Sequence, residues 1–341
     1  MDTKTDQHKP VRGDQRLSLE RLHEWESLQR GLFLHFGMST FDQVEMSRGD
    51  QPSHFYTPDK LDVDQWIGVA RDAGFRYAVL TAKHVSGHCL WPSRHTDYHI
   101  GTSGNTTDVV EAFVRACEQK GVLPGLYYCS WDNHHRFGSV TTTDIWDWND
   151  AGAEEQPIPY NRAFTTEEYR DFQTRQIQEL LTGYGKIAEV WIDIPRVLPR
   201  DYRERLYKDI AGWQPEAVIL MNNTLSDGSE LNVFTSWPTD LVAIERHLPS
   251  SWHSHNPWRK IEGKSYYLPG EVGDPIGRNW FFTPDDRPRP DEELLGMCLI
   301  ARNRGANILL DVGPDPHGLI SQPFADALLR LRKNLDKLGI D

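Results

Sequence analysis

The chain has 341 residues, with 37 basic against 50 acidic side chains and a formal charge of -13, a balance that argues against a phosphate backbone as partner and suits a neutral ligand. No stretch approaches the 18 or so apolar residues of a membrane span, and residues 1–16 are polar with no apolar leader core, so the expectation is a cytoplasmic protein with neither nucleic acid nor membrane as partner. Cys89, Cys117, Cys129 and Cys298 are widely spaced without a CxxC pair, which speaks against a zinc cluster or a disulfide framework. The 12 tryptophans suit a sugar-binding cleft and a packed core equally well.

Short apolar runs alternate with amphipathic stretches of helical period, which is the pattern of βα units around a parallel sheet. A first strand over 31–36 ends in His35-Phe36-Gly37. Asp59, Lys60 and Leu61 then lead into a helix whose Trp66, Val69, Ala70 and Ala73 recur at i, i+3, i+4 and i+7, and Gly74 stops it. Residues 77–82 form a second strand ending in Lys83-His84, followed by a helix with Val110, Phe113, Val114 and Cys117 on one face and Gly121 after its end. The third strand covers 123–129. After it, Thr165 and Glu168 read as a capping box for a helix traced by Phe172, Gln176, Ile177, Leu180 and Tyr184. Strands over 190–194, 217–221, 241–244 and 307–312, with helices over 202–210 and 291–302, complete seven or eight strands. The fold expected is α/β, a TIM-like (β/α)8 barrel over 17–341 preceded by a polar tail over 1–16, and such a barrel typically needs about 250 residues. Two segments, 131–164 and 224–278, read as irregular. Both follow strands and so belong to the C-terminal face, where barrel enzymes place their sites.

Ionisable and polar groups at the ends of apolar strands are the main chemical signal, because each costs burial energy unless something satisfies it. His35 ends the first strand and His84 the second; Tyr127 and Tyr128 lie late in the third, and Asp193 closes the fourth two residues after Trp191. Four such groups from successive strands converge on a pocket. An attacking carboxylate at Asp193 needs a second carboxyl group to protonate a leaving oxygen, as glycosidic cleavage requires. Glu245, Glu271 and Glu230 are the candidates, and position alone does not rank them. His35, His84 and His88 are the nearest approach to a metal set, but Gly87 and the strand-then-loop context oppose a shared helix, so no metal is expected. His134 and His135 read as solvated. No GxGxxG or GxxxxGK(S/T) follows a strand, so no cofactor is expected.

Leu32-Phe33-Leu34-His35-Phe36-Gly37, Leu61-Asp62-Val63-Asp64-Gln65-Trp66, Leu80-Thr81-Ala82-Lys83-His84, Gly125-Leu126-Tyr127-Tyr128 and Val190-Trp191-Ile192-Asp193 resemble, in order and spacing, the α-L-fucosidases of glycoside hydrolase family 29. The stretch from His35 to Phe41 followed by Glu45, with Cys89-Leu90-Trp91-Pro92-Ser93, is closer to the branch acting on α-1,3/1,4-linked fucose. The resemblance implies a retaining exo-α-L-fucosidase acting on an oligosaccharide or glycoside through a covalent glycosyl-enzyme, with Asp193 as nucleophile. It also breaks the tie among the glutamates: Ile244-Glu245-Arg246-His247-Leu248-Pro249 matches the family's acid/base segment, leaving Glu271 second and Glu230 third. By the same resemblance His35, Glu45, His84, Tyr127, Trp191, Glu271 and Trp280 line the sugar subsite.

The sequence also departs from the family pattern. Val85 stands where a second sugar-binding histidine is common, Met46 where a tryptophan follows the glutamate, and Thr224 near the place of an arginine. A lost charged hydrogen bond of this kind is worth about 1.5–3 kcal/mol, which keeps a related α-L-sugar such as an α-L-galactoside, a non-catalytic sugar-binding barrel and a metal-dependent hydrolase as alternatives. The β-sandwich that often follows the barrel in this family is not expected within the 341 residues.

Overall fold

The computed structural model describes residues 12–135, 165–222, 236–252 and 254–340. Eight parallel strands form the core: β1 (Arg30–Leu34), β2 (Tyr77–Lys83), β3 (Leu123–Cys129), β4 (Glu189–Asp193), β5 (Val218–Met221), β6 (Val242–Glu245), β9 (Gly270–Pro275) and β10 (Ala306–Asp311). A separate antiparallel hairpin, β7 (Trp258–Ile261) and β8 (Lys264–Tyr267), lies between β6 and β9. The sheet runs β5-β4-β3-β2-β1-β10-β9-β6, a nearly closed barrel as expected. Strands covered on both faces read as continuous apolar runs, and every residue of β1 and β2 is buried.

Helices α3 (Val63–Asp72), α4 (Val109–Lys120), α5 (Glu167–Gly183), α6 (Arg200–Trp213), α7 (Asp291–Asn303) and α8 (Gln322–Lys337) follow strands β1, β2, β3, β4, β9 and β10, while α1 (Leu19–Ser27) precedes β1 and the short α2 (Met38–Asp42) follows it. Side-chain caps start four of them. Ser18, Asp62, Asp108 and Thr166 each accept the N–H three residues on. The cap of α5 is thus Thr166, one residue later than the Thr165 box. None of the described helices is long and apolar enough to cross a membrane.

Two departures from expectation matter for the site. The segment 224–278 holds, besides β6, the hairpin and the barrel strand β9, whose sequence Gly-Glu-Val-Gly-Asp-Pro has the composition of a loop. Ladders from β10 on one side and β6 on the other nonetheless make it a strand. In the segment 1–16, Arg16 is part of the folded body, donating to the carbonyls of Pro215 and Ala217 and to the Asp240 carboxylate.

Arg16 reinforces the one seam of the barrel. β5 and β6 share no strand ladder, and the edge of β5 is satisfied instead by the residues just before β6. Asp240 accepts from Ile219 N at 2.9 Å while its own N–H donates to Ile219 O at 2.7 Å, and Thr239 Oγ1 accepts from Met221 N at 3.0 Å. The buried Asp240 carboxylate also takes Arg16 at 2.6 Å and the Tyr207 hydroxyl. Replacing Asp240 by alanine leaves the Ile219 N–H without its side-chain acceptor and Arg16 with the Pro215 and Ala217 carbonyls alone, so unfolding in urea should show a loss of about 1–3 kcal/mol. A change within about 0.5 kcal/mol would contradict this account of the seam.

Candidate active site

The strand ends deliver one polar group each to a single narrow pocket. His35 follows β1, His84 follows β2, Tyr127 lies in β3, Asp193 ends β4, Asn222 follows β5, Glu245 ends β6 and Glu271 rises from β9. Glu45, from the loop after α2, and Trp280, from the loop after β9, complete the wall with Phe33, Trp191 and Gly273. All nine residues that the sequence nominated are therefore brought together, while Glu230 and Thr224 lie outside the described residues.

Asn222 organises the two carboxyl groups. Its Nδ2 donates to Asp193 Oδ1 at 2.8 Å and to Glu245 Oε2 at 3.2 Å, so those oxygens stand no more than about 6 Å apart, close to the roughly 5–5.5 Å of retaining glycosidases and below the roughly 6.5–9.5 Å of inverting ones. Asp193 Oδ2 takes a further bond from the Tyr127 hydroxyl at 2.6 Å, and burial holds Tyr127 firmly in its protonated, donating form. For Glu245, burial first, then the Asp193 charge, push the pKa up to about 7, against the lowering bond from Asn222. Glu245 thus keeps its proton near neutrality.

The histidines of the walls are uncharged. His35 Nδ1 lies 2.6 Å from Asp311 Oδ1 at the end of β10. Burial lowers His35 to about 3 and pushes the Asp311 pKa up. His84 is likewise held neutral by burial, and its Nδ1 has no hydrogen-bond partner among the described residues. Aromatic faces line the rest, with Tyr127 stacked on Trp191 at 5.5 Å and Trp280 5.2 Å from His35. Glu45 is exposed as a residue, and the packing around the pocket raises its pKa.

Three site residues escaped the sequence reading. Asn222 and Asp311 carry the signal that found Asp193, a polar side chain closing an apolar strand. Arg246 does not, since it is an exposed cation beside Glu245, stacked on Trp280 at 4.9 Å and held by two bonds to the Arg278 carbonyl. The metal set does not assemble: the His35 and His84 rings are 5.8 Å apart, whereas His88 turns to Ser103, Tyr56 and Tyr98. Nor do any three metal-ligating side chains gather elsewhere among the described residues. His134 is exposed as read, and His135 is half-buried against Asp132.

A family model described as alpha-L-fucosidase matches residues 45–339. The chain belongs to the α-L-fucosidase family. Among its relatives are alpha-L-fucosidase 1 of Arabidopsis thaliana, 30% identical over 88% of this chain and 56% of that protein, and a putative alpha-L-fucosidase 1 of Oryza sativa subsp. japonica, 28% identical over 87% and 54%. A solved putative alpha-L-fucosidase from Bacteroides thetaiotaomicron superposes with a TM-score of 0.74 at 26% identity, covering 96% of this chain and 69% of its own. The chain spans just over half the length of the two plant α-L-fucosidases.

The Asn222 bridge has a measurable consequence. Its bond lowers the Glu245 pKa, so Asn222→Ala should move the Glu245 carboxyl titration above about 7, as followed by its 13C chemical shift against pH. A midpoint unchanged or lowered would show that the bridge does not set the acid.

Proposed function

We propose that this chain is a retaining exo-glycosidase that removes terminal α-L-fucosyl residues from an oligosaccharide or glycoside. The observation that carries this reading is the pair of carboxyl groups tied by Asn222, their bonded oxygens no more than about 6 Å apart, with the Glu245 pKa raised beside Asp193. In the first step Asp193 attacks the anomeric carbon while Glu245 gives its proton to the departing glycosidic oxygen, leaving a glycosyl ester on Asp193 and a free alcohol. In the second step ionised Glu245 takes a proton from water as the water oxygen attacks the same carbon, releasing the sugar and restoring both groups. No external base or cofactor enters this balance.

The walls support a small deoxy sugar. Neutral imidazoles of His35 and His84 offer hydrogen bonds to ring hydroxyls without the cost of a buried charge. Trp191, Trp280 and Phe33 give apolar faces to the C5 methyl side. A floor closed by Trp191 and Glu271 admits a chain end rather than a chain interior, which favours exo action. The residues of this reading fall within 17–341, the proposed catalytic unit. Four buried, unpaired cysteines suit a reducing compartment, so the cytoplasm stays our proposed location.

Hydrolysis of aryl α-L-fucosides and α-L-galactosides tests the reading and names the sugar. Asp193→Ala should reduce turnover by more than about 1,000-fold. Glu245→Ala should lose far more on substrates with poor leaving groups than on aryl glycosides, with azide restoring turnover as a glycosyl azide. Near-normal Asp193→Ala activity removes the nucleophile, and equal losses without rescue move the acid/base role from Glu245. Because only protonated Glu245 can begin the reaction, kcat/KM of the wild type should fall as pH rises through about 7; a profile flat to pH 9 would contradict the acid assignment.

A further inference from the structure

Beneath the sugar pocket lies a second pair of acids. Glu189, Trp191 and Asp193 alternate along one face of β4, so Glu189 sits about 13 Å below Asp193 at roughly 3.3 Å per residue, and it is only 1% exposed. Glu271 of β9 is 2% exposed. Its Oε2 accepts from the Tyr77 hydroxyl at 2.6 Å and its Oε1 from the Trp191 indole N–H at 3.0 Å. Glu189 lies beside Glu271, its neighbouring acid, and neither of its oxygens has a hydrogen-bond donor among the described residues.

Two facing carboxyl groups in a dry interior do not both ionise. Burial pushes both acids upward, and the bonds from Tyr77 and Trp191 work against that push at Glu271, so Glu271 is the member suited to the charge and Glu189 to the proton. The floor is shaped for this cluster. A Cβ at Gly31 would lie 2.4 Å from the Tyr77 ring, and one at Gly125 would lie 2.9 Å from Val79 Cγ2 and 3.3 Å from Glu189 Cβ. Packing alone would be served better by aliphatic side chains, since buried polar clusters stabilise less than an apolar core of the same volume.

The cluster leads upward by direct contacts. Glu271 holds the Trp191 indole, the Trp191 ring stacks on Tyr127, and the Tyr127 hydroxyl donates to Asp193. We propose that Glu189 and Glu271 form a one-proton acid pair that fixes the depth and tilt of Trp191 and, through Tyr127, the aim of Asp193. Both are positioning residues. Glu271, on this view, is the anchor of the pocket floor rather than an acid/base for the glycosidic bond. This inference rests on the fucosidase reading and adds Glu189 to it.

The test combines a resonance with kinetics on an aryl α-L-fucoside. The indole N–H signal of Trp191, identified by its loss in Trp191→Phe, should move in Glu271→Gln, whose amide cannot accept from all three donors. In the same variant kcat should fall about 10- to 100-fold with KM little changed, the scale of a misplaced reacting group. Glu189→Leu should lower kcat in the same way, and Glu189→Gln, whose amide can still donate to Glu271, should restore it. Glu189→Leu, which deprives no donor of its acceptor, should remain folded with an undiminished Tm yet keep the kcat defect, which a purely structural role would not produce. A fixed indole signal, or an unchanged kcat in folded Glu271→Gln, overturns the proposal. Absence of turnover by the wild type overturns instead the fucosidase reading beneath it, and the wild-type assay alone distinguishes the two.

Discussion

Two carboxyl groups held a few ångströms apart in a barrel mouth repel each other if both are charged, and the surroundings decide which one yields its charge. Here the surroundings raise the Glu245 pKa. Asp193 accepts from Asn222 and from the Tyr127 hydroxyl at 2.6 Å, whereas Glu245, among the described residues, accepts the longer bond from Asn222 and is pushed up by burial and by the Asp193 charge. The arrangement depends on backbone geometry well outside the pocket. Asp193 ends β4, Asn222 follows β5 and Glu245 ends β6, so the bridge spans the seam where the strand ladder stops. Thr239, Asp240 and Arg16 hold that seam with side-chain bonds. Barrel closure and the spacing of the two acids are therefore one structural problem.

The interior below the pocket obeys the same rule. A polar group inside a barrel is tolerated when its hydrogen bonds are met, and several here are met in linked sets, Asp311 with His35, Glu271 with Tyr77 and Trp191, Tyr127 with Asp193, whereas His84 Nδ1 and the Glu189 oxygens have no partner among the described residues. Each set takes its members from different strands. Small side chains make the space. Gly31 and Gly125 clear the floor, and Gly273 leaves the Trp280 ring as its nearest neighbour, 3.8 Å from where a Cβ would stand. The neutral imidazoles and the aromatic faces then define a pocket with little net charge apart from its acids, in keeping with an uncharged sugar as ligand.

Much of this was legible in the sequence because barrel strands are apolar on both faces, so that His35, His84, Tyr127 and Asp193 stand out against their neighbours. Asn222 and Asp311 obey the same rule but stand out less, Asn222 because an irregular stretch of sequence follows it and Asp311 because Val312 continues the apolar run beyond it. Glu245 was separable from Glu271 only through the family pattern; in the structure burial and Asn222 distinguish one, while Tyr77 and Trp191 occupy the other. Strand β9 could not be seen, since two glycines, two acids and a proline become a strand only between β6 and β10. The Glu189–Glu271 contact joins residues 82 positions apart, and no local pattern announces it.

The central claim is that Asp193 carries the sugar covalently between the two steps. Incubation with a 2-deoxy-2-fluoro-α-L-fucosyl donor bearing a good leaving group slows the second step more than the first, and mass spectrometry of the intact protein and its peptides then reads the intermediate directly. The account predicts one fluorosugar per chain, attached as an ester to the peptide containing Asp193. Turnover of the donor with no adduct, or an adduct on any other residue, would contradict it.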